Sequence, residues 1–250
     1  MRAELGAAVS EVGTAAAVAD RLCRACVELL QVDGASISLT LDGTQRGTFG
    51  ASSPTSRHLD ELQFTYGEGP CLDAVAGGRP VLIADLADVQ DRWPVYAGAV
   101  LDAGVSAVFA LPVRLSTRPV GALDLYRDRP GPLSEQDLAG AMLAAELAAL
   151  PLLDMMAWHA QWDSGGQQDD GWTQLASLDL VEVYQATGMI MGALDVAATE
   201  ALVRLRAYAF AQGLTAGQAA WTIVERQVTL NGPDWQDPHW PKPDSAGRAR

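Results

Sequence analysis

Between residues 35 and 126 the chain returns five times to short runs of apolar and β-branched residues, each closed by turn-forming residues. The first, Ala35-Ser36-Ile37-Ser38-Leu39-Thr40-Leu41, alternates apolar and polar with period two, and Asp42-Gly43 leads into a second run over 46–51. A β-hairpin is expected there. Further runs cover 80–84, 107–115 and 120–126, the last two joined by Ser116-Thr117-Arg118-Pro119. Helical patterns bracket the strands. Residues 7–31 place Val18, Leu22, Cys26, Leu29 and Leu30 on one face, predicting a single first helix. Ser134-Glu135-Gln136-Asp137 reads as a capping box that opens an Ala/Leu-rich helix to about Trp158, bent near Pro151. Strands between terminal helices predict an α+β sandwich on an antiparallel sheet with flanking helices.

The pattern then breaks. Residues 163–171 are polar, acidic and Gly-containing with no periodic apolar face, so the chain divides into a first domain over 1–160, a linker over 161–172 and a second domain over 173–230. The second domain contains no Pro and reads as three helices, an all-α bundle. The first carries Leu175, Val183, Ala186 and Ile190, and the second follows a cap at Asp195. The third opens on the capping box Thr215-Ala216-Gly217-Gln218 and carries Ala219, Ala220, Ile223 and Val224. Residues 231–250, with four Pro and two Trp, have no periodicity and are expected to be a mobile tail.

Charge narrows the function. Seventeen basic residues against 31 acidic ones give a net charge of -14, which excludes a broad, sequence-independent grip on phosphate and leaves only a local nucleic-acid site. Three Cys make no disulfide framework, and His58, His159 and His239 fall in segments read as loop, helix end and tail, without metal-ligand spacing. No metal is expected. No apolar run reaches the roughly 20 residues of a membrane span, and the N-terminus lacks the apolar core of a secretory signal, so the expected location is cytoplasmic. No phosphate-binding Gly loop, nucleophile elbow or zinc-protease helix is present, and no catalytic residue is assigned.

Ala186-Thr187-Gly188-Met189-Ile190-Met191, followed by Glu200-Ala201-Leu202, Leu205-Arg206 and then Leu214 to Ala219, resembles the ANTAR family of RNA-binding antiterminator domains across 173–230. Tyr66-Gly67-Glu68-Gly69-Pro70-Cys71-Leu72 resembles a loop of the GAF sensor domains attached to ANTAR domains, and the N-terminal strand and helix order is similar to a GAF fold. The resemblance implies a signal-responsive antitermination regulator that binds tandem stem-loops in nascent RNA through its ANTAR domain under control of a GAF sensor. On the matching positions it implies RNA contact around Ala186, Thr187, Gly188, Arg204, Arg206 and Ala219. Thr187 departs from the family, which usually has Lys there.

The residues themselves support part of this. Ala198, Ala201, Leu202, Leu205, Tyr208 and Ala209 form one helical stripe with Arg204 and Arg206 at its edges, where both guanidinium groups can reach water. Small residues at Ala186 and Gly188 allow close approach of a helix or an RNA backbone. Yet 173–230 holds three Arg against five acids, so a dimer is expected to be needed to reinforce a weak site. The Ala/Leu-rich faces of 7–31 and 134–158 are its expected contacts, giving a homodimer. RNA polymerase or a signalling protein is a further candidate partner, with neither DNA nor a membrane expected. Cys71, following Gly69-Pro70, reads either as a thiol in the first turn of a helix, activated by the dipole for redox or ligand sensing, or as a buried residue of a sensor pocket. No cofactor is assigned beyond an unidentified small molecule in the sensor. Two alternatives stay open: a protein-interaction regulator whose degenerate ANTAR domain no longer binds RNA, and a GAF-fold thiol enzyme of the type that reduces free methionine sulfoxide.

Overall fold

All five strand runs pair into one antiparallel sheet: β1 (Gly34–Leu41), β2 (Thr44–Ala51), β3 (Val81–Ile83), β4 (Ala107–Leu115) and β5 (Arg118–Arg127), in the order β2-β1-β5-β4-β3. The computed structural model describes residues 1–41, 44–153, 181–228 and 230. The chain divides into two units, Met1–Leu178 and Asp179–Arg250.

The sheet of the first unit is buried on both faces. Ile37 pairs with Leu123, and Leu123 with Leu111, so these residues share one face with Ala35, Leu39, Phe109 and Leu125. That face packs on α1 (Arg2–Ser10), α2 (Ala15–Leu29) and α6 (Glu135–Leu147). The expected single helix over 7–31 is therefore corrected to two. Thr14 ends the break between them by accepting a hydrogen bond from Ala17 N–H, which fixes a new helix start. Gly50 lets α2 close on the sheet: a Cβ there would lie 2.7 Å from the Ala19 carbonyl carbon. Ser134 caps α6 by accepting from Asp137 N–H. The helical hydrogen-bond pattern is interrupted at Ala148, which keeps helical dihedrals, and helix resumes over 149–153. Pro151 accounts for the interruption, because it has no N–H for the carbonyl of Leu147. By length and composition Glu135–Leu153 could cross a membrane, and half of it is buried within this fold.

The other face carries a second helical layer: α3 (Pro54–Tyr66), α4 (Pro70–Gly77) and α5 (Pro94–Asp102), with a short 3-10 turn at Leu86–Val89. These helices add to the terminal ones expected from the sequence, where only a turn beginning near Cys71 pointed to a helix between the strands, and His58, read as loop, lies exposed on α3. Each of the three helices starts with Pro at its first position, where a missing N–H costs nothing. Ser53 caps α3, and Gly67 and Gly78 close α3 and α4 in the left-handed region. Leu59, Leu62, Ala74, Trp93, Tyr96 and Val100 form the second core against Val108, Ala110 and Tyr126.

The second unit contains α7 (Val181–Leu194), α8 (Ala198–Gln212) and α9 (Ala216–Val224). Val183, Ala186, Ile190, Ala201, Leu205, Ala209, Ala216, Ala219, Ala220 and Ile223 are buried in it. The expected capping box forms as read: Thr215 accepts from Gln218 N–H, and the Gln218 side chain accepts from Thr215 N–H. Asp195 does not cap α8. It sits at φ 52 in the turn, and Ala197 occupies the cap without a side-chain bond. The expected linker over 161–172 and the tail over 231–250 lie outside the described residues, as do Leu175, His159 and His239.

Candidate functional site

The polar half of the β1 alternation does not face solvent. Ser36 and Ser38 are buried on the face opposite Ile37, beside Asp124 and Tyr126 of β5, which alternate in the same direction. Helices α3, α4 and α5 close over them and add Asp60, Gln63, Cys71 and Tyr96, all wholly buried. A polar cluster thus lies between sheet and helices in the middle of an apolar layer.

Its wiring is specific. Gln63 bridges two elements: its Nε2 donates to Asp124 Oδ2 at 2.7 Å, and its Oε1 accepts from the Cys71 backbone N–H at 2.8 Å. Cys71 Sγ and Ser38 Oγ share a hydrogen bond of 2.8 Å, as do Ser36 Oγ and the Tyr126 hydroxyl at 2.9 Å. Thr48 Oγ1 donates to Asp60 Oδ2 at 2.6 Å. The loop of residues 66–72 is shaped to this network. Gly69 adopts φ 140, and a Cβ there would collide with the Gln63 carboxamide. Glu68 reaches out of the same loop, its Oε1 accepting from the N–H groups of Val95 and Tyr96 at the start of α5, at 2.7 and 2.8 Å. Outside it, Arg92 donates to Asp73 Oδ2 at 2.7 Å and lies 4.5 Å from the Trp93 ring centre.

Burial sets the protonation of the cluster. Desolvation, reinforced by Asp60, holds the Asp124 carboxyl well above the ordinary aspartate range, against the opposing Gln63 hydrogen bond. Desolvation likewise pushes up the Tyr96 and Tyr126 phenols, with the charge of Asp124 adding to both. The same two causes raise the Cys71 thiol, with Ser38 partly offsetting them. This corrects one reading of Cys71: it does occupy the first turn of α4, but burial outweighs the helix dipole and keeps the thiol protonated. Cys23 and Cys26 belong to the core on the other face of the sheet, and burial pushes the Cys26 thiol up to about 12.

Of the cluster residues only Cys71 was singled out from sequence. The missed signals were a carboxylate within an apolar strand, Leu123-Asp124-Leu125, and Asp60 and Gln63 one turn apart on an unrecognised helix. An open cleft of about 410 Å³ lies elsewhere, between β4 and α6, lined by Leu111, Pro112, Arg114, Met142 and Glu146 among others. Among the described residues no group of three or more His, Cys, Asp or Glu is arranged to hold a metal.

In the second unit the expected RNA residues take different places. Ala186 and Ala219 are fully buried, so they shape the bundle and offer no side-chain contact. Gly188 is exposed, with open space where a Cβ would stand. Thr187 donates from Oγ1 to the Val183 carbonyl at 2.6 Å. Arg204 pairs with Glu200 one turn earlier at 2.6 Å. Arg206 is half-buried, and desolvation lowers its guanidinium pKa from the usual value. Val203, Phe210 and Trp221 are exposed.

A family model of the GAF domain matches residues 14–152. No curated protein matches the chain. Among solved structures, the GAF domain of a phosphoenolpyruvate-protein phosphotransferase from Coxiella burnetii is 17% identical, covering 64% of this chain and 94% of that one, with a TM-score of 0.50. The corresponding domain from Acinetobacter is 14% identical over 63% of this chain and 94% of that one, with a TM-score of 0.49. A free methionine-R-sulfoxide reductase from Thermoplasma acidophilum is 18% identical over 56% of this chain and 93% of that one, with a TM-score of 0.47. The family match runs from the start of α2 to just past α6, taking in the whole sheet and the polar cluster and more than half of the chain, and on that ground the chain belongs to the GAF domain family.

Proposed function

We propose that the chain is a cytoplasmic, signal-responsive antitermination regulator. Its GAF domain takes a signal in the buried polar cluster, and its C-terminal unit binds tandem stem-loops in nascent RNA as an ANTAR-like domain. One observation carries the reading: the segment that resembles ANTAR folds as a three-helix unit with its own core, held by the Thr215–Gln218 capping box. Its α8 carries Arg204, paired with Glu200, and the half-buried Arg206, and exposes an aromatic ring, Phe210, while α9 exposes Trp221. Unstacked loop bases are recognised by this combination of cations and ring faces. A homodimer doubles the site, and exposed Met142, Leu150 and Leu153 on the last helix of the GAF unit are candidate contacts.

A second reading, a protein-interaction regulator that no longer binds RNA, has support in two side chains already engaged: Thr187 is bonded to its own helix and Arg204 to Glu200. One titration separates the two. Full-length protein binds a tandem stem-loop RNA saturably and over a scrambled control, and Arg206→Ala weakens that binding about tenfold, the order of a lost charge-assisted contact. Equal affinity for both RNAs, or none from a folded protein, transfers the weight to the second reading.

A further inference from the structure

Two atoms of the GAF cluster, Asp124 Oδ1 and the Tyr96 hydroxyl, are fully buried and find no hydrogen-bond partner in the protein. Burying such a group without a partner costs stability. Asp124 faces the layer of α3, α4 and α5, where its neighbours Val108, Ala110 and Tyr126 belong to an apolar core, so packing alone does not call for an acid there. Groups that cost stability in this way concentrate at sites of function. Resting on the reading of this domain as a sensor, we propose that the cluster binds a small organic cation, an ammonium or guanidinium group, read by Asp124 Oδ1 together with the Tyr96 hydroxyl.

The chemistry of the walls selects the charge. The charged group acting on Asp124 is a second carboxylate, Asp60, and its one hydrogen-bond donor is the neutral Gln63 amide. Arg57, on the same helix as Asp60 and Gln63, pairs with Asp20 at 3.5 Å. A cation takes the place of the Asp124 proton and stabilises the ionised carboxylate, whereas an anion offers Asp124 Oδ1 no donor and no compensating charge. The described residues offer no set of three or more metal-binding side chains, which favours an organic cation with directional N–H donors.

The Gln63 carboxamide already performs half of this recognition. Its Nε2 holds Asp124 Oδ2, the oxygen beside the one a ligand N–H would take, while its Oε1 holds the Cys71 N–H. A cation at Oδ1 leaves Asp124 ionised, which makes the Gln63 Nε2 bond to Oδ2 charge-assisted and tightens the hold of Gln63 on the loop of residues 66–72. Glu68 in that loop is bonded to the start of α5, which carries Tyr96, so occupancy of the cluster reaches its helical cover. Charge balances at each step: the cation enters, the proton on the Asp124 carboxyl leaves to solvent, and the net charge of the cluster is unchanged. The other titratable groups facing it are Asp60 on α3, Cys71 on α4, Tyr96 on α5 and Tyr126 on β5. The last three are pushed upward by burial and stay neutral through the working range.

Four probes of similar size test this on the full-length chain without RNA: propylammonium, ethylguanidinium, propionamide and propionate. The expected result is a rise in melting temperature with one or both cations and none with the amide or carboxylate. Calorimetry in buffers of different ionisation heat should show about one proton released per cation bound, with affinity rising up to about tenfold per pH unit below the Asp124 pKa. Asp124→Asn, which preserves size, removes both the proton release and the preference for cations. Tyr96→Phe weakens binding about tenfold without abolishing proton release. Equal stabilisation by propionamide or propionate overturns the cation assignment while leaving a sensor site. No response to either cation by the folded protein overturns the proposal outright. Neither result bears on RNA binding, which is measured separately.

Discussion

At the scale of single residues the GAF core is held by groups that a hydrophobic pattern would not place there, and Asp124 is the most consequential. Its carboxyl is raised well above the ordinary range by desolvation, so the folded chain retains a proton that the unfolded chain has released. Linkage fixes the sign: this stabilisation is complete below the unfolded value of about 4 and is lost as pH rises through the folded value. Stability should therefore fall as pH rises across that window, with a slope on the order of 1 kcal/mol per pH unit from this group. Asp124→Asn carries no titrating proton and should flatten the slope, which urea unfolding at a series of pH values will show. An unchanged slope in the variant would place the proton elsewhere. The wild-type cost is consistent with a site kept for binding rather than for packing.

At the scale of elements, α5 shows how the signature loop earns its shape. Trp93 occupies the helix cap without bonding through its side chain, and the first N–H groups of α5 are satisfied instead by Glu68 from a distant loop. Glu68→Ala should destabilise the domain by about 1 kcal/mol and increase hydrogen exchange at Val95 and Tyr96, whereas Glu68→Gln retains part of both. Much of the element order was legible in advance, because strands and turns leave local marks: all five strand runs and the Thr215 capping box form where the pattern places them. The layer of α3, α4 and α5 was not legible from apolar spacing alone. The helices are short, and α3 buries Ser56, Asp60, Gln63 and Thr65 along with its leucines. Their visible marks were Ser53-Pro54, Gly69-Pro70 and Trp93-Pro94, start signals that carry no apolar periodicity. Missing that layer hid the candidate site, since the Ser36–Ser38 alternation reads as a wet strand face until something is known to cover it.

At the scale of the whole molecule the decisive quantity is charge. A chain of net charge -14 repels a polyanion at long range, so the RNA recognition proposed for the C-terminal unit would have to come from a few placed contacts and not from a basic field. The salt dependence of binding measures that number directly, because each phosphate contact to single-stranded RNA contributes about -0.7 to the slope of log affinity against log salt. Arg204 and Arg206 on one α8 together predict a slope near -1.4, or roughly -3 if two copies act together. Arg204 must first leave Glu200, so Glu200→Gln should strengthen binding without changing the preference for tandem stem-loops. A slope steeper than about -4 would demand more cations than the three Arg of 173–230 supply in two copies and would point to contacts outside the unit. A slope near zero with retained preference would assign recognition to stacking on Phe210 and Trp221, and then Trp221→Ala, not Arg206→Ala, becomes the variant that abolishes binding.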